Sequence, residues 1–116
     1  MNITVICVGK LKEKYWKDAI AEYSKRLKSY CTLNIIELKE TRLLGQGESE
    51  ELLVKEGEGK DILKKIKDSM YVIALDVKGK KFSSEKLAKK LDDLSIQGKS
   101  NIAFVIGGSL GLDEEV

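Results

Sequence analysis

Asn101-Ile102-Ala103-Phe104-Val105-Ile106-Gly107-Gly108-Ser109-Leu110-Gly111 decides the fold. Its first six residues carry no charge and do not alternate polar with apolar, which reads as a strand buried on both faces. Such strands belong to parallel sheets covered by helices on both sides. Glycines come at once, at the carboxyl end of the strand, where ligands of parallel α/β sheets bind. On its own the run 107–111 reads equally as a tight turn into a helix or as a loop whose backbone meets a ligand.

Working outward, residues 70–76 (Met-Tyr-Val-Ile-Ala-Leu-Asp) form a third strand, apolar until its terminal Asp76, and Gly79 turns the chain. Ser83 caps a helix with the stripe Leu87, Leu91 and Leu94, closed by Gly98. Upstream, Ser49 is the expected cap of another helix, with Glu50 and Glu51 in its first turn. Leu52, Leu53, Ile62, Leu63 and Ile66 form its expected stripe, interrupted by Gly57 and Gly59. Each glycine costs about 1 kcal/mol relative to Ala, so either another backbone packs closely there or the helix breaks near Gly57. A polar loop at Gly45-Gln46-Gly47 separates that helix from a strand holding Leu33, Ile35, Ile36 and Leu38.

Residues 2–8 are a β-branched run ending at Gly9, a further buried strand. Trp16, Ala19, Ile20, Tyr23, Leu27 and Tyr30 recur at three- and four-residue steps, one stripe of an amphipathic helix over residues 13–30. The order β-α-β-α-β-α-β gives the fold class: α/β, a mostly parallel sheet with helices on both faces, in one domain over residues 1–116. Asp113, Glu114 and Glu115 look like a new helix N-terminus, and one turn is unstable alone, so a further element is expected after Val116.

Composition narrows the chemistry. There is no histidine, and Cys7 and Cys31 lie far apart in apolar stretches, so no zinc or iron site is expected and both read as buried thiols. Serine–histidine and cysteine–histidine hydrolysis are excluded for this chain. No apolar run is long enough to span a bilayer, and the start lacks a signal-peptide layout; a cytoplasmic protein is expected. The net charge of +2 predicts no nucleic-acid partner by itself, but residues 1–31 carry seven Lys/Arg against three Asp/Glu. That segment reads as a solvated helix face or as a phosphate-attracting surface. Asp76 reads as a polar strand terminus or a ligand-facing carboxylate.

The opening Ile3-Thr4-Val5-Ile6-Cys7-Val8-Gly9-Lys10-Leu11-Lys12, then Tyr23-Ser24-Lys25-Arg26-Leu27, Lys55-Glu56-Gly57-Glu58, Ile73-Ala74-Leu75-Asp76 with Gly79-Lys80, and Phe104-Val105-Ile106-Gly107-Gly108-Ser109 with Gly111-Leu112 occur in order along the chain. Together they resemble the ribosomal large subunit methyltransferase H family of the SPOUT superfamily. The resemblance implies a SPOUT α/β fold with a C-terminal trefoil knot, and a homodimer. It implies methyl transfer from S-adenosylmethionine to N3 of a pseudouridine in 23S rRNA on the ribosome. By motif position, Leu75 and Gly107 are the implied cofactor-binding residues.

The knot segment and the basic, aromatic tail of that family have no counterpart here. The expectation is an incomplete domain that is inactive alone; the catalytic base is left unassigned. Lys10, Lys12, Lys14 and Lys17 are the expected phosphate contacts, from charge position. The alternative is a catalytically silent α/β module that acts by binding or self-association. A nucleotide-binding oxidoreductase is suggested only by the glycine turn.

Overall fold

The computed structural model describes residues 1–40, 47–108, 111–113 and 116. Gly45 and Gln46 of the polar loop, Ser109 and Leu110 of the glycine run, and Glu114 and Glu115 lie outside the described residues. The elements run β1 (Asn2–Val8), α1 (Lys14–Leu27), β2 (Thr32–Leu38), α2 (Glu48–Lys65), β3 (Tyr71–Leu75), α3 (Ser84–Ile96) and β4 (Asn101–Ile106). All pairings are parallel, in the order β2-β1-β4-β3. The apolar strands β1 and β4 occupy the centre, as their unbroken hydrophobicity requires, and β2 and β3 form the edges.

The register sorts the side chains into two faces. Thr4, Ile6 and Val8 line up with Ala103 and Val105 of β4, and with Val72 beyond. Against this face lies α2, whose Ile62 joins Ile6, Val8, Ala103 and Val105 in one buried cluster. The opposite face carries Val5, Cys7, Phe104, Ile106, Ile73 and Leu75, and it receives α1 and α3. Lys90 of α3 sets its ammonium 5.4 Å from the Tyr71 ring centre, over edge strand β3.

The α3 helix begins as expected: the Ser83 hydroxyl accepts from the Lys86 N–H at 3.1 Å, and Gly98 leaves the helix with φ +81°. The start of α2 does not match the expected pattern. Gly47, at φ +131°, precedes the helix, and Ser49 lies inside its first turn. A glycine is tolerated at that position because it reaches a backbone geometry closed to other residues, so no side-chain cap is needed to start the helix.

The apolar stripe of α2 also differs. Leu52, Leu53 and Leu63 are exposed, while Val54, Glu58 and Ile62 are buried, at steps of four. Choosing the more numerous leucines as the inner side rotates the helix away from its real packing face. The face that packs has a carboxylate in its middle.

No break occurs near Gly57: α2 is continuous through both glycines. At Gly59 the alternative of close packing holds, since a Cβ there would stand 2.9 Å from the Cβ of Asp113. The chain that leaves β4 therefore passes against α2, and Leu112 and Val116 pack on the central cluster. Asp113 is in no helix.

The α1 helix forms, but its stripe is not buried. Trp16, Tyr23 and Tyr30 are 54%, 62% and 81% exposed, and the helix contains no buried residue. Only Ile20 and Leu27 of that stripe turn toward the sheet, across an open groove.

Gly59→Ala tests the close approach. Helix propensity alone predicts a gain of about 1 kcal/mol. Overpacking in a filled interior costs about 1–3 kcal/mol. The expected result is a lower urea midpoint; a raised midpoint would show that residue 113 does not lie against α2.

Candidate active site at the carboxyl edge of the sheet

Because all four strands are parallel, their carboxyl ends lie along one edge. There Leu75 pairs with Ile106, and Ile106 pairs with Cys7 on its other side. Leu75 and Ile106 point to the same face and are 51% and 40% exposed, so two large apolar side chains form a ledge open to solvent. Gly107 comes directly after Ile106. The structure thus brings the two sequence-expected residues, Leu75 and Gly107, to adjacent strand ends.

Beyond Gly107 the chain reverses. The Gly111 N–H donates to the Gly108 carbonyl at 3.0 Å, with Gly111 at φ +88°. A Cβ on Gly107 would lie 2.8 Å from both the carbonyl carbon and the oxygen of Gly111. Gly107 is therefore glycine because the returning backbone fills the space that any other side chain needs. The tight turn is real, and residues 112 and 113 beyond it are not helical. The turn also exposes backbone groups at a strand end, so it remains suited to meeting a ligand.

Gly108 sits between two neighbouring elements. A Cβ there would lie 3.3 Å from Val8 Cγ1 and 3.0 Å from Glu58 Oε1. Glu58, 5% exposed, thus reaches the edge from within the protein. Sequence reading does not single it out, although a charged residue four steps from both Val54 and Ile62 is the signal that would have done so. Asp76 is exposed, and its carbonyl accepts from the Gly79 N–H at 3.0 Å, so it opens a tight turn as a polar strand terminus.

A groove of about 770 Å³ lies between α1 and the β1–β2 half of the sheet. Ile20 and Leu27 form one wall and Val5 and Ile35 the other, with Lys10 and Lys17 also on its lining. It meets the carboxyl edge at Ile106. Cys7 faces this groove half-buried, and its thiol lies 3.6 Å from the Ile36 carbonyl, as a weak donor. Burial, and next the Glu37 carboxylate, push the Cys7 pKa up. The thiol stays protonated near neutral pH, which makes it a poor nucleophile.

The model of the family described as "Predicted SPOUT methyltransferase" matches residues 1–116. This chain belongs to the SPOUT methyltransferase family. Among relatives of this SPOUT chain are proteins called ribosomal RNA large subunit methyltransferase H from Clostridium novyi (strain NT), 61% identical, and Clostridium botulinum (strain Eklund 17B / Type B), 59% identical. A protein of the same name from Alkaliphilus oremlandii (strain OhILAs) is 61% identical. Each alignment covers all of this chain and 74% of the relative. Among the described residues of this SPOUT protein, no helix is long and apolar enough to cross a membrane. The all-parallel sheet with helices on both faces is the architecture the resemblance implies.

Two outcomes are expected. Gly107→Ala should force the 107–111 turn open and speed amide exchange at Gly111 without unfolding the sheet; unchanged exchange would refute the close approach. Cys7 should alkylate at pH 8 several-fold more slowly in the folded protein than in urea, with the rate climbing as pH rises. Equal rates would show an ordinary, exposed thiol.

Proposed function

We propose that this protein serves S-adenosylmethionine-dependent methylation of N3 of a pseudouridine in 23S rRNA, on the ribosome in the cytoplasm. Leu75 and Gly107 hold the cofactor. Membership in a methyltransferase family supports methyl transfer, and the names of the relatives support large-subunit rRNA as the substrate. The observation that carries the site is the exposed Leu75–Ile106 ledge beside the Gly107 turn, at the ligand-binding edge of a parallel sheet.

The residues present fit the cofactor. An apolar ledge suits a flat purine ring, and the backbone of the turn suits its polar groups. When bound, S-adenosylmethionine supplies a methyl group already activated by a sulfonium, so no metal is required. The task of the chain is to hold donor and acceptor in line, where orientation accounts for much of the rate. The N3 proton must also leave, and no described residue at the edge is suited to take it. The 116-residue chain alone is therefore proposed to bind cofactor without turnover; detectable methyl transfer by residues 1–116 would overturn this.

Lys10 and Lys12, in the stretch after β1, and Lys14 and Lys17 of α1 are proposed as phosphate contacts. Changing all four to Gln should weaken ribosome binding and flatten its salt dependence. The slope should fall by roughly 0.7 to 0.9 for each phosphate no longer engaged. Unchanged binding would remove the four lysines from the interface.

A second reading is a module acting by self-association. The exposed Trp16, Tyr23 and Tyr30 favour it, and a homodimer would cover such a surface. Sedimentation equilibrium should give a dimer that Trp16→Glu splits; a monomer at high concentration would end that reading. For the cofactor, calorimetric titration with S-adenosylmethionine should be saturable, and Leu75→Asp should abolish it. A dinucleotide control should give no heat. No binding, or equal binding of the dinucleotide, would overturn the proposed site.

A further inference from the structure

The inner row of α2 runs Val54, Glu58, Ile62, and its central member is charged and 5% exposed. Removing a carboxylate from water is unfavourable unless it is paired or hydrogen-bonded, and an apolar residue of similar size usually serves stability as well or better. A leucine would complete this row with the central cluster of Ile6, Val8 and Val105 close by. Packing therefore gives no reason for the charge.

The position of Glu58 gives one. Its two carboxylate oxygens would lie 3.0 and 3.3 Å from a Cβ on Gly108, the residue that both starts the turn and accepts its closing hydrogen bond from Gly111. The next residue of α2, Gly59, is the one against which Asp113 packs. Two successive residues of one rigid helix thus meet the chain just before the turn and just after it. A turn made of glycines has little conformational preference of its own, so its shape must be imposed from outside.

We infer that Glu58 is a positioning residue whose carboxylate fixes the 107–111 turn in the shape that forms one wall of the cofactor site. The cofactor half of this inference rests on the function proposed above. Glu58 itself reaches the site from the α2 side of the sheet, whereas Leu75 and Ile106 lie on the other face.

The test compares Glu58→Leu, Glu58→Gln and Gly108→Ala, using amide exchange, thermal midpoint and S-adenosylmethionine affinity. Glu58→Leu should leave the midpoint at or above wild type, yet speed exchange at Gly108, Gly111 and Leu112. It should also weaken cofactor binding by about tenfold, the scale of one hydrogen bond to a charged group. Glu58→Gln, which keeps the shape and an acceptor oxygen, should restore much of both. Gly108→Ala displaces the carboxylate without changing charge and should mimic Glu58→Leu, which keeps the test decisive if the leucine variant folds poorly. Unchanged exchange in both Glu58 variants would overturn the role of Glu58 whatever the cofactor does. Wild-type protein that binds no S-adenosylmethionine, with exchange still dependent on Glu58, would overturn the cofactor assignment alone.

Discussion

At Gly59 and at Gly107, pieces of the chain approach more closely than side chains permit, and the arrangement of the carboxyl edge depends on this. The strand β4 ends in the middle of the sheet, so the next segment must leave through a crowded exit between neighbouring strand ends. Glycine at 107 lets the returning backbone of Gly111 come within 2.8 Å of the space a Cβ would fill. Glycine at 59 lets residue 113 lie flat against α2. A helix-interior glycine is a local cost of about 1 kcal/mol. It is offset by the burial of Leu112 and Val116 on the central cluster.

The sheet was legible because its central strands are nearly unbroken apolar runs. Residues 101–106 carry the hydrophobicity of a strand buried on both faces, and residues 2–8 are close to it, so their place at the centre needs no tertiary information. The α2 face was not legible. Leu52, Leu53 and Leu63 outnumber the residues that pack, and a stripe chosen by counting apolar residues excludes Glu58 by construction. Whether Gly57 and Gly59 mark a break or a contact depends on residue 113, more than fifty positions away, which periodicity cannot see. The stripe of α1 was legible as a helix but not as a packing surface, since Trp16, Tyr23 and Tyr30 remain exposed.

For the site, the strand ends were legible and their surroundings were not. Leu75 and Gly107 stand side by side because β3 and β4 are adjacent and in register, which a linear reading anticipates only through family resemblance. The apolar partner Ile106 and the buried Glu58 depend on pairing and helix rotation. Two concave features compete for a ligand here. The groove beside α1 is larger, but its apolar lining continues the uncovered stripe of that helix, which is how an unfilled packing interface presents itself. The carboxyl edge is smaller, yet it combines an exposed ledge, a glycine turn and strand ends that converge. In a SPOUT methyltransferase these features favour the edge as the place where the cofactor is held.

The most direct measurement is a map of backbone amide shifts as S-adenosylhomocysteine, the product form of the cofactor, is added to labelled protein. The account predicts saturable shifts centred on Leu75, Ile106, Gly107, Gly108 and Gly111, with Ile20 and Leu27 in the groove undisturbed. Shifts centred on Ile20, Leu27 and Ile35, with the glycine turn silent, would contradict it and move the binding site to the face beneath α1.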